Sequence, residues 1–196
     1  TMTINGSGGT IVSDKVGLNS IEGVLNVNDA TIKANRIGIY NKGTELKEAV
    51  LKLKNVTFEN CGTDVQLGSN GTIDLSEYNG NAITIDIDYN INDGKKHRIS
   101  PRGVSRDDLN KIKFVRNSDK LYRIDLRYDE EGQYIYLAKH VHKWNYVLDN
   151  SDESGKTIKG YCSEEDRKSE CDYQDSDTTT AKIVLKTKDG GYKKGD

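Results

Sequence analysis

Proline is almost absent: the 196-residue chain has one, Pro101. That argues against a long disordered linker of the proline-rich kind. Apolar residues are sparse at 34%, against 31% charged, so any core has to be thin and linear rather than a large globule. No apolar run approaches the length that spans a bilayer, which excludes membrane insertion by a helix in this stretch, and no signal peptide is visible. Neither charge sign dominates. The 29 basic and 31 acidic residues are interspersed, with no basic face for nucleic acid and no acidic tail. No Ser/His/Asp order, phosphate-cradling glycine loop or nucleotide fingerprint stands out. No cofactor is implied.

What is present is a repeat. Val24–Ile32 and Val50–Phe58 carry the same pattern 26 positions apart: Leu25 matches Leu51, Val27 matches Leu53, Ala30 matches Val56 and Ile32 matches Phe58. Each copy adds a second alternating pair, Ile37-Gly38-Ile39 and then Val65-Gln66-Leu67, and closes on a glycine turn. Apolar residues at i and i+2 share one face of an extended chain, and so short a unit buries that face only against a copy of itself. Met2–Ile4, Thr10-Ile11 and Val16–Leu18 form a looser upstream coil, and Thr72–Leu75 starts a fourth. The pattern predicts an all-β chain built on a parallel β-helix, with Ile4, Val27, Leu53 and Leu75 in one inward column and Ile11, Ile32 and Phe58 in another.

Three segments follow. Residues 1–80 are the coils. Residues 81–138 lose the period and read as a β-rich layer closing the solenoid, with a strand over 83–89, a helical turn capped by Ser105, a strand at 112–115 and a hairpin about Asp129–Gly132. Residues 139–196 read as a small β module whose one tryptophan and roughly 58 residues give a marginal core in need of a staple. Because an open coil exposes core and strand edges, the chain is expected to be a fragment of a longer protein.

The third segment carries a resemblance. His140-x-His142-x-Trp144-x-Tyr146, then Gly160-Tyr161-Cys162, Cys171 and Ala181-x-Ile183-x-Leu185 resemble a repeat in surface proteins of Gram-positive gut bacteria. There it follows a right-handed parallel β-helix of the pectate-lyase-like type, whose last coils resemble Gly62–Leu67 and Gly132–Ala138. The resemblance implies an extracellular, secreted or cell-wall-associated protein with a β-strand cap and a disulfide-stapled module. In an exported protein Cys162 and Cys171 would close a small ring, contributing roughly 2–3 kcal/mol. Two free thiols, or a zinc site with His140 and His142, are the alternatives, although the cysteine spacing departs from that of zinc motifs. Cys61 reads as a buried small hydrophobe.

Polysaccharide-cleaving β-helices need carboxylates and cations stacked on adjacent coils. Here Asn26 and Asn28 precede Lys52 and Lys54, while Asp29, Asp64 and Asp74 occupy different slots. No catalytic or metal residue is assigned. Tyr134, Tyr136, Trp144 and Tyr146 are a candidate ligand surface, although tyrosine is also a common strand residue. The sequence reads as a non-catalytic, adhesin-like spacer whose partners are glycans, surface proteins or further domains of its own chain. A carbohydrate-active enzyme or a glycan-binding module is the alternative.

Overall fold

The computed structural model describes residues 1–91, 93–115 and 124–139, together with the backbone of three later strands. The chain divides into two compact units, 1–140 and 141–196. In the first, the strands are β1 (Met2–Asn5), β2 (Thr10–Ser13), β3 (Val16–Ser20), β4 (Gly23–Ala34), β5 (Ile37–Asn41), β6 (Ala49–Glu59), β7 (Thr63–Leu67), β8 (Gly71–Asp74) and β9 (Ile83–Ile87). β10 (His97–Arg98), a 3-10 helix at Arg106–Lys111, β11 (Ile112–Phe114), β12 (Ile124–Asp129) and β13 (Tyr134–Lys139) follow. In the second unit β14 (Trp144–Leu148), β15 (Thr157–Cys162) and β16 (Ala181–Lys182) form an antiparallel sheet.

The first unit is a parallel β-solenoid of about four turns. One sheet runs β1-β4-β6-β8 with β2 also on β4, and the other runs β3-β5-β7-β9-β11. Ile4 pairs with Val27 and Val27 with Leu53, while Ile11 pairs with Ile32 and Ile32 with Phe58. Val27, Leu53 and Leu75 are 0–2% exposed, so the predicted inward column is the core.

Why one strand can line two sides of a coil is visible at Asp29 and Asn55. Both adopt left-handed backbone, φ 52° and 51°, at equivalent places in β4 and β6. A single left-handed residue bends the strand and shifts its alternation by one. Val27 and Ala30 therefore both point inward, as do Leu53 and Val56. Asn55 Nδ2 donates to Asp29 Oδ1 at 2.8 Å, tying the two bends together.

Val65 pairs with Ile39 and Leu67 with Asn41, at the same 26-residue offset as β4 and β6. The inward slot that Leu67 fills thus holds a fully buried asparagine one coil earlier. Parallel pairing also runs past residue 80, since β9 stacks on β7 and β11 on β9. What closes the end of the stack comes from residues 97–139. Ile73 N donates to Ile99 O (2.8 Å) and Ile99 N to Ile135 O (2.9 Å). β12 and β13 form the expected hairpin. Ser105 caps the 3-10 helix: its hydroxyl accepts from Asp107 N, and its own backbone N donates to Asp108 Oδ2. Lys111 Nζ, paired with Asp108 at 2.8 Å, donates to Leu75 O at the last coil.

Candidate functional site

The outward residues of β1, β4, β6 and β8 form a polar row across four coils. Thr3 pairs in register with Asn26, Asn26 with Lys52 and Lys52 with Asp74. Asn28 and Lys54 run beside them, and together they line a shallow depression with Ser76 and Glu77. Strand alternation places them there: Asn26, Lys52 and Asp74 each sit between two core residues.

The row supplies the carboxylates that the sequence reading placed elsewhere. Asp74 lies directly after Lys52 in the same column, with Nζ to Oδ2 at 3.1 Å, and Lys54 reaches Glu77 at 3.0 Å. The expectation that Lys52 and Lys54 have no carboxylate beside them is corrected. The signal was available, since placing Leu75 in the Leu53 slot puts Asp74 on Lys52. Asp29 and Asp64 do stand apart, Asp29 bonded to Asn55 and Asp64 exchanging two 2.8 Å bonds with Thr84.

Asp74 is partly desolvated, which pushes its carboxyl up, but bonds from the Ser76 hydroxyl (2.7 Å) and amide (3.1 Å) and the Lys52 charge outweigh this and hold it below its ordinary value. Lys54 is shifted up by its bond to Glu77. The row therefore combines a charged lysine with an acid that is ionised and already partnered. It can bind polar ligands by hydrogen bonding.

The other outward face is bonded in the same manner. Tyr40 OH donates to Asp88, and Gln66 Nε2 lies 3.5 Å from Asp86. Burial, then the Asp88 contact, pushes the Tyr40 phenol up to about 12.

Tyr134 and Tyr136 share one face of the cap hairpin, ring centroids 6.0 Å apart and edge-on. Each is covered by a cation: Lys96 Nζ lies 5.0 Å from the Tyr136 centroid and the Arg102 guanidinium 5.5 Å from that of Tyr134. Tyr136 is only 9% exposed and Tyr134 is half-buried. Lys96 also pairs with Asp129 at 2.5 Å, and this bond, with one from Gly132 N, lowers Asp129 to about 2.

β14 contains Trp144 and Tyr146, but their side chains, like His140, His142, Cys171 and the thiol of Cys162, lie outside the described residues. Cys61 is a half-buried free thiol whose Sγ faces Ile32 O, and burial raises its pKa. Among the described residues no cluster of His, Cys, Asp or Glu is arranged to hold a metal ion, and no helix is long and apolar enough to cross a membrane.

Comparison with known proteins gives no relative: no family model, curated protein or solved structure matches the chain.

Proposed function

We propose that this chain is a non-catalytic segment of a secreted or cell-wall-associated bacterial protein, in which the solenoid is a stiff spacer presenting its flanks to partners. The observation that carries this reading is the self-neutralised polar row. Charges on the flank meet opposite charges from the next coil: Lys52 with Asp74, Lys54 with Glu77, Lys33 with Glu59 at 2.6 Å and Lys47 with Glu22 at 3.1 Å. Exposed pairs of this kind add little stability individually, but repeated along the stack they keep the flank from attracting charged chains indiscriminately. The motif resemblance supports the extracellular setting, and with it a disulfide between Cys162 and Cys171. Glycans or surface proteins are the partners proposed for the flanks.

A carbohydrate-active reading is favoured by one specific feature, a lysine and an aspartate on adjacent coils inside a depression. Against it stands the low pKa of Asp74, which is unsuited to proton abstraction at neutral pH. The two readings separate in one assay. Neutral and acidic polysaccharides, with and without Ca²⁺, are incubated with the protein. The spacer account expects no reducing or unsaturated sugar ends above a heat-killed control. Release that disappears in both Lys52→Met and Asp74→Asn would establish the enzyme instead.

A further inference from the structure

The sequence contains three Asn-Gly dipeptides, Asn5-Gly6, Asn70-Gly71 and Asn79-Gly80. Such pairs are chemically labile. The backbone nitrogen of the glycine, once deprotonated, attacks the asparagine Cγ. A new C–N bond closes a succinimide ring, and the side-chain nitrogen leaves as ammonia. Water then opens the ring at either carbonyl, giving aspartate or isoaspartate. The first step requires a glycine amide that is free to lose its proton and an asparagine side chain free to swing onto it.

The fold withholds both conditions from two of the three. Gly6 N donates to Asn28 O at 2.9 Å, and Asn5 is a strand residue whose Oδ1 accepts from Ser7 N. Gly71 N donates to Gly68 O at 2.9 Å, Gly71 is buried in β8, and Asn70 Nδ2 is held by Thr44 O at 2.6 Å. Asn79-Gly80 differs in its bonding. Both residues are exposed, they lie in the connection between β8 and β9, and neither the Asn79 side chain nor Gly80 N has a hydrogen-bond partner among the described residues. The turn around them is closed from outside the pair, by Tyr78 OH donating to Asn81 O at 2.8 Å. A Cβ at Gly80 would meet the Tyr78 hydroxyl.

We infer that Asn79 is a site of spontaneous modification, converting to aspartate and isoaspartate in the folded protein while Asn5 and Asn70 persist. The product adds one negative charge two residues from Glu77, on the rim of the polar row. The isoaspartyl form also lengthens the backbone of the β8–β9 connection by one carbon.

Ageing the intact chain in mildly alkaline buffer and mapping its peptides by mass spectrometry tests this. Local opening must precede reaction at the two bonded sites, so Asn79 should convert at least about tenfold faster than either. In urea the three rates should converge, because the discrimination belongs to the fold. Asn79→Gln should abolish the early acidic variant and leave the other two asparagines intact. Conversion at Asn5 or Asn70 as fast as at Asn79 in the folded chain would overturn the inference, as would a rate order that survives unfolding.

Discussion

Asn41 stands in the slot that Leu67 and Ile87 fill in the next two coils, yet it is fully buried. Its Nδ2 donates to Ala49 O and to Thr72 O, both at 2.9 Å, so one amide closes the corner where β5 leads into β6 and β8 begins. An apolar replacement keeps the column filled but leaves two buried carbonyls without that donor, and each such loss costs about 1–3 kcal/mol. Because the replacement also removes the buried Oδ1, which has no partner, Asn41→Leu is expected to lower unfolding free energy by about 1–3 kcal/mol in urea titrations, despite matching the neighbouring coil. A loss below about 0.5 kcal/mol would show that the corner does not depend on this amide. Sequence reasoning missed Asn41 for a physical reason. A polar residue beside a glycine turn reads as exposed, and only the register with Leu67 reveals that it faces inward.

At the scale of elements, strand β10 and its neighbours hold the cap through charge. Lys96 pairs with Asp129 on β12, His97 contacts Asp93 at 2.8 Å and Arg98 reaches Glu48 at 3.1 Å. The folded pKa of Asp129, about 2, lies below the roughly 3.9 of an unfolded aspartate. Its contribution to stability is thus present above about pH 4 and lost as pH falls toward 2. Lys96→Met should move the Asp129 titration upward, read as a carboxyl carbon shift by NMR. An unchanged midpoint would separate the low pKa from this lysine. The elements themselves were legible in sequence to different depths. The coils built on β4 and β6 stood out because stacked columns require like residues at a fixed period, here 26 positions. The coils on either side blurred because their turns are shorter: Met2 to Leu25 is 23 positions, Leu51 to Ile73 is 22 and Val65 to Ile85 is 20. β9 and β11 consequently read as parts of a cap when they are further parallel strands of the stack.

For the molecule as a whole, the parallel register governs everything else. It sets which side chains face inward, and it brings Asp74 to Lys52 and Asn55 to Asp29. Among the described residues of the first unit, the core is one cluster from Leu25 to Leu137, so its coils should unfold together. The candidate site was less legible than the fold. A surface row depends on the register of three or four coils at once, and a slip in any one reassigns its partners.

The most direct measurement is the thermal unfolding of Leu53→Asp beside Lys52→Asp. Leu53 is 1% exposed in the central column, while Lys52, its chain neighbour, points outward. A carboxylate at position 53 has no cation to meet and no water, a penalty of several kcal/mol and a large share of a typical domain's stability. The account predicts that Leu53→Asp loses the cooperative transition or melts far below the parent, while Lys52→Asp stays folded with a small decrease. A Leu53→Asp protein melting within a degree or two of the parent would contradict the register and the solenoid built on it.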